Sequence, residues 1–180
     1  MKPEFEAVVR EESQRLYLLC YRLTGNGPEA EDLLQEAFTK AFKAFRKFEE
    51  RSQVSTWLYR IVMNSWKNRL RSKSRNPLTR FFTKTDDDGV EIEEEFAGHD
   101  APVGSEVEQS ESSQLLHTAL KSLAPEEREI VILRDLEEKS YEELSRVLEI
   151  PMGTVKSRLA RAREALRLKL VPLLKAKGEL

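Results

Sequence analysis

Apolar residues recur at intervals of three and four in two stretches, residues 3 to about 71 and 112–178, and lose that period in between. In "AEDLLQEAFTKAFKAF" the set Leu33, Leu34, Ala37, Phe38, Ala41, Phe42 and Phe45 makes one helical stripe that must be buried. Gly25 and Gly27 interrupt the preceding helix. Pro28 suits an early helical position, and Glu29, Glu31 and Asp32 complement the positive end of the helix dipole. Asp32, Gln35 and Glu36 fall on the outer face, where composition alone reads them as solvated surface. A further helix is predicted in "STWLYRIVMNSWKNRLRSK", with Ser55 as its cap and Leu58, Ile61, Val62 and Ser65 on its inner side.

The second stretch carries three helical patterns. Pro125 opens the first, followed by Glu126 and Glu127, with Ile130, Val131, Leu133 and Leu136 as its apolar face. Ser140 and Glu143 have the spacing of a capping box and open a short helix with Leu144, Val147 and Leu148 inside. "EIPMG" then turns the chain into a basic helix, the order of a helix-turn-helix. Glu149 stands at the turn where many such motifs place glycine. Pro172 argues against an unbroken helix through the tail.

Composition sharpens this picture. The chain has 180 residues, 39% of them hydrophobic and 34% charged, which fits an all-α protein of two small helical domains. No apolar run approaches the roughly 20 residues that cross a bilayer. The amino terminus lacks the apolar run of a signal peptide, so no membrane insertion and a cytoplasmic location are expected. The single cysteine, Cys20, shares an apolar stripe with Leu16 and Leu23, which favours core packing over a redox or metal role. His99 and His117 stand apart from any cysteine, so no metal site is expected.

Net charge is only −2, but the charges are sorted. From Arg60 to Lys84 every charged residue is basic, and from Asp86 to Glu111 every one is acidic. Residues 72–111 mix Pro, Gly, Ser and acids as a flexible linker does, dividing the chain into domains 1–71 and 112–180.

Two segments suggest nucleic acid. In the helix after Ser55, Trp57, Tyr59, Asn64, Trp66 and Asn68 alternate with Arg60, Lys67, Arg69 and Arg71. Aromatic faces among cations suit single strands, which offer bases to stack and phosphates to track. Either tryptophan could equally be core. In the basic helix, about 100° per residue places Val155, Leu159, Ala162, Leu166 and Leu170 on one face. Ser157, Ala160, Arg161 and Glu164 lie opposite, with Lys156 and Arg167 beside them and Arg158 and Arg163 near the borders. Such a helix fits a major groove, its small residues permitting close approach and its border arginines clamping phosphates.

With these segments in this order, the chain resembles the bacterial extracytoplasmic-function (ECF, group 4) sigma factors of RNA polymerase, in the sigma-70 family. "AEDLLQEAFTKAFKAF" is similar to their region 2.2, and "STWLYRIVMNSWKNRLR" to regions 2.3 and 2.4. "LAPEEREIVILRDLEEKSYEELSRVLEIPMGTVKSRLARAREALR" is similar to region 4. The resemblance implies that Asp32, Gln35 and Glu36 grip the clamp helices of the polymerase beta-prime subunit. It implies that Asn64 and the residues after it, including Asn68 and Arg71, capture the opened minus-ten element, with Trp57, Arg60, Lys67 and Arg69 along the strand. Thr154, Lys156, Ser157, Arg158, Ala160, Arg161 and Arg163 match the minus-thirty-five reading helix. Core polymerase, promoter DNA and an anti-sigma factor are the implied partners, and the acidic linker would occupy a cationic channel of the polymerase. No catalytic constellation, cofactor motif or metal cluster is present in the sequence. An ordinary helix-turn-helix regulator would leave the amino-terminal block unexplained. A nucleic-acid-processing enzyme would need paired, inward-facing acids.

Overall fold

A computed structural model describes residues 5–46, 48, 54–75 and 111–178. The acidic run and His99 fall outside them, apart from Glu111. All regular elements among the described residues are helices. In the amino-terminal block these are α1 (Phe5–Thr24), α2 (Gly27–Phe45) and α3 (Val54–Arg75). In the carboxy-terminal block α4 (Glu111–Lys121), α5 (Pro125–Val131), α6 (Tyr141–Leu148) and α7 (Met152–Lys177) follow.

The α1–α2 corner is built by local chemistry. Gly25 takes φ +85°, and a Cβ there would come within 2.2 Å of the Lys121 side chain. The left-handed backbone there favours glycine, while the flexible Lys121 side chain could move aside. Asn26 then caps α2, its Oδ1 accepting the Glu29 N–H at 2.8 Å. Leu16, Leu19, Cys20 and Leu23 of α1 are sealed against Leu33, Ala37 and Ala41 of α2 and Leu58, Val62 and Met63 of α3. Each such leucine removed from water contributes roughly 1.5–3 kcal/mol. Burial also pushes the Cys20 thiol up to about 12, which keeps it a packed, unreactive group.

The α2 stripe is narrower than its sequence pattern. Phe42 is 66% exposed, correcting its expected burial. Ala41 fills the space beneath α1, and the Phe42 ring lies edge-on to Phe5 with centroids 5.4 Å apart. Helix α3 begins at Val54, which places Ser55 inside the first turn instead of at the cap. It runs to Arg75, past the domain boundary expected at residue 71. Trp66 is core, while half-buried Trp57 tilts against Phe45 and Phe48 at centroid distances of 6.2 and 4.9 Å.

In the second block Pro125 lies in the first turn of α5, as its sequence predicts. The Ser140 capping box closes with both bonds. Ser140 Oγ accepts the Glu143 N–H at 3.1 Å, and Glu143 Oε2 accepts the Ser140 N–H at 2.8 Å. Between them Ile132–Leu136 form a π-helical turn that the apolar period does not disclose. Helix α7 continues through Pro172, against the expectation of a break. The carbonyl that loses its donor belongs to exposed Leu168, where water can replace the bond.

The two blocks are packed together. One contiguous apolar cluster extends from Val8 in α1 to Ala162 in α7. Polar contacts reinforce the seam: Arg128 donates to Leu23 O at 2.8 Å at the end of α1, and the His117 ring stacks on Tyr21.

Glu129 of α5 is 2% exposed at this seam. Burial pushes its carboxyl up to about 7, although Lys67 and Arg158 pull it down. The folded chain therefore keeps a proton that an unfolded glutamate releases near pH ~4.3. That contribution to stability is complete below the unfolded value and is lost as pH rises through the folded one. Glu129→Gln, which mimics the protonated acid, should gain roughly 2 kcal/mol on the parent protein between pH 5 and pH 8. Denaturation midpoints at the two pH values measure the gap, and a pH-independent difference would refute the assignment. Ser140→Ala should cost about 1 kcal/mol in the same assay through loss of the cap.

Candidate nucleic-acid interface

Helix α7 divides its residues between a buried and an exposed face. Val155, Leu159 and Ala162 are buried, with Leu166 and Leu170 half-buried below them. Lys156, Ser157, Ala160 and Arg161 are exposed on the other side, and Thr154 is half-buried at the amino-terminal end. The polar side chains here bond mainly within the helix: Ser157 Oγ donates to Thr154 O, and Arg161 Nε to Ser157 O at 3.4 Å. The border arginines have side-chain partners. Arg163 makes a two-pronged contact with Asp135 at 3.0 and 2.5 Å, and Arg158 Nη1 lies 3.5 Å from Glu129. Arg167 pairs with Glu164 on the surface.

The turn between α6 and α7 places Glu149 at φ 58°, ψ 44°, the conformation glycine favours. A non-glycine residue there costs about 1–2 kcal/mol. Glu149 N–H closes α6 on Ser145 O, and Ser145 Oγ donates to Ile150 O at 2.6 Å, so the turn is fixed from both sides.

Helix α3 divides its polar residues between two environments. Asn64, Asn68 and Arg71 are exposed along one edge. Lys67 and Arg69 are half-buried and engaged. Lys67 Nζ approaches Leu148 O at 3.4 Å and Glu129 at 3.7 Å, and Arg69 Nε donates to Glu36 Oε2 at 2.8 Å. Exposed Arg60 reaches Glu149 at 2.6 Å.

On α2, Asp32 and Gln35 are exposed, whereas Glu36 is half-buried between Lys40 and Arg69. Burial acts to raise the Glu36 carboxyl, but hydrogen bonds from Lys40 and Arg69 outweigh it and hold the group below the usual carboxylate range. The acidic patch expected from the sequence therefore consists of two open polar groups and one that is already neutralised. Glu36 and Arg69, expected to meet different partners, meet each other.

The sequence reading missed Glu129 and Glu137. Glu137 is buried among Arg15, Arg22 and Tyr59 of the other block. Glu129 lies four residues before buried Leu133, a spacing that directs it toward the apolar face, whereas Glu137 follows the π-helical turn, beyond the reach of the α-helical period. Among the described residues no group of three or more His, Cys, Asp or Glu is placed to hold a metal ion, and no helix is long and apolar enough to cross a membrane.

Comparison with known proteins agrees with this architecture. The family described as Sigma-70 region 2 matches residues 8–76, and Sigma-70, region 4 matches residues 113–166. RNA polymerase sigma-H factor of Pseudomonas aeruginosa is 34% identical over 174 residues, 97% of this chain and 90% of that protein. ECF RNA polymerase sigma factor SigW of Bacillus subtilis is 33% identical over 171 residues, covering 91% and 87% of the two chains. Among solved structures, the sigma factor RpoE in complex with the anti-sigma factor NepR from Bartonella quintana superposes with a TM-score of 0.70 at 28% identity, over 92% of this chain and 96% of that one. Two sigma-70 regions in order along the chain and relatives matched across nearly their full length lead to one conclusion: this chain belongs to the extracytoplasmic-function sigma factors of the sigma-70 family and serves promoter-specific initiation of transcription.

Proposed function

We propose that the two blocks divide promoter recognition between paired and unpaired DNA, while the outer face of α2 holds core RNA polymerase. Residues 112–180 read the minus-thirty-five duplex through Thr154, Lys156, Ser157, Ala160 and Arg161, with Arg158 and Arg163 on the groove walls. Residues 1–71 hold the opened minus-ten strand along Asn64, Asn68 and Arg71, with Arg60, Lys67 and Arg69 following its phosphates. Trp57, tilted into the Phe45–Phe48 cluster, supports this surface more than it stacks a base. Asp32, Gln35 and Glu36 meet the beta-prime clamp helices.

The observation that carries this reading is the division of α7. Val155, Leu159 and Ala162 are sealed, while Lys156, Ser157, Ala160 and Arg161 form an open strip whose small members admit a base edge. Extruding a minus-ten base costs a few kcal/mol of stacking, which contacts near Asn64 must offset. Bond formation belongs to the polymerase. This protein supplies address and strand opening, so it is not an enzyme and works in the cytoplasm beside its polymerase. The RpoE structure holds an anti-sigma factor, and a regulator of that class is the natural inhibitor here.

Run-off transcription with core polymerase on a promoter library tests the class and reports the preferred sequence. Arg161→Ala should lower initiation on the selected promoters by about 10- to 100-fold, the worth of one lost base contact, without changing co-elution with core polymerase. Charge reversal at Asp32 and Glu36 should instead abolish co-elution. A self-sufficient helix-turn-helix regulator would not co-elute in the first place, and metal-dependent cleavage of DNA would indicate an enzyme.

The linker acids from Asp86 to Glu111, all but Glu111 outside the described residues, are proposed to mimic nucleic acid in an electropositive polymerase channel until RNA displaces them. Exchanging them for Ser and Gln should weaken polymerase binding and alter promoter escape. Unchanged binding, initiation and escape would leave them a solvated spacer.

A further inference from the structure

An aromatic groove lies open at the carboxy-terminal end of α2. The Phe42 ring is 66% exposed. It meets Phe5 edge-on at 5.4 Å between centroids, and Phe5 meets Phe45 in the same manner at 5.1 Å. These three rings, with Lys43 and Arg46, line a groove of about 430 Å³. Lys43 and Arg46 are both exposed, so the floor is apolar and the rim cationic. Apolar surface gathered in a concave site with a polar rim is what a recognition segment covers, and the sign of the rim calls for carboxylates.

We propose that the occupant is this chain's own linker, with Val90, Ile92 and Phe96 seated on the rings and the intervening glutamates facing Lys43 and Arg46. Residues 90–96, "VEIEEEF", set three apolar side chains among Glu91, Glu93, Glu94 and Glu95. Other parts of the linker lack one half of this chemistry. Residues 76–85 carry Leu78, Phe81 and Phe82 but also Arg80 and Lys84, cations that the rim repels. Asp86, Asp87 and Asp88 have no apolar member among them, and beyond Phe96 the larger apolar residues are two isolated valines, Val103 and Val107.

Chain length permits the seat. Trp57, near the start of α3, packs against Phe45 of the groove. Arg75 lies roughly 27 Å farther along that helix at ~1.5 Å per residue, and the fourteen residues 76–89 span up to about 46 Å. The return path runs from Phe5 along α1 to Tyr21, across its stacked partner His117, and along α4 to Glu111. It is about 40 Å at most, again within reach of the fourteen residues 97–110. Tethered at both ends, the segment is held near the groove at an effective concentration on the order of millimolar. An intrinsic dissociation constant of ~0.1 mM then fills about nine grooves in ten. A partner free in solution at about micromolar concentration would need contacts roughly a thousandfold tighter. The seat belongs to the free chain, whereas the polymerase channel proposed above for the same acids belongs to the bound one, so neither reading depends on the other.

Photocrosslinking of the full chain tests it. Phe42→p-benzoylphenylalanine puts a photoreactive ring at the groove, and mass spectrometry after digestion identifies what it captures. In the protein alone the adduct should fall within residues 90–96, with a yield that does not change on dilution. Reversing the rim with Lys43→Glu and Arg46→Glu should lower that yield about tenfold, the fall expected when two weak ion pairs become repulsions. Adding Glu93→Lys and Glu94→Lys in the same background should restore it, with helical circular dichroism confirming that each variant is folded. The yield with the native rim should also fall as NaCl is raised, a readout that no folding defect of a variant can mimic. An adduct elsewhere in the chain, no adduct, or one indifferent to both charge reversal and salt would overturn the proposal. A yield that climbs with protein concentration would give the groove to a second copy, and an adduct formed only with added core polymerase would give it to the polymerase; either result overturns it as well. Run-off transcription decides the DNA roles separately.

Discussion

Glu137 sits where two helical blocks that share one apolar cluster are held in one arrangement. A carboxylate removed from water is costly unless both oxygens are satisfied, and here the donors come from α1 and α3 while the acceptor comes from the turn after α5. Apolar contact along the seam tolerates small sliding motions. This ion pair and hydrogen bond do not, because their geometry fails within an ångström or so. The socket therefore selects one relative placement among the many that apolar packing would permit. In that placement Lys67 and Arg60 meet acidic partners across the seam.

The carboxy-terminal block depends on its neighbours for a simpler reason. Helices α5 and α6 have 7 and 8 residues, too short to persist alone in water. They are held by Pro125, the Ser140 capping box and burial of Ile130, Leu133, Leu144 and Leu148 against α7 and the amino-terminal block. The π-helical turn at Ile132–Leu136 adds a residue between two such short helices. Just beyond it the chain seats Glu137 among Arg15, Arg22 and Tyr59. The strained Glu149 conformation belongs to the same economy, because the helix-turn-helix needs a left-handed residue there and the chain supplies one without glycine.

Engagement and exposure divide the polar residues of α3 and α7 in a consistent way. Those on the outer strip of α7 and on the Asn64–Asn68–Arg71 edge of α3 are open to solvent. Those at the meeting of the blocks are engaged by glutamates of this same chain.

Much of this protein was decided by local sequence. The helical stripes, the Gly25–Pro28 corner, the Ser140 capping box and the polar outer face of α7 all follow from interactions within a few residues, which sequence spacing encodes directly. The order of the segments was enough to identify the sigma-factor family. Tertiary structure alone decided that Phe42 stays exposed, that Trp66 is core while Trp57 leans on Phe45 and Phe48, and that Glu36 is neutralised by Arg69. It also decided that Glu137 reaches Arg22, 115 positions away. Those outcomes depend on which surfaces remain after distant helices have packed, and on the low dielectric that makes a buried carboxylate seek every available donor. A periodicity of 3.6 residues gives the face on which a side chain lies, but the neighbour it meets there is set only when the rest of the chain arrives.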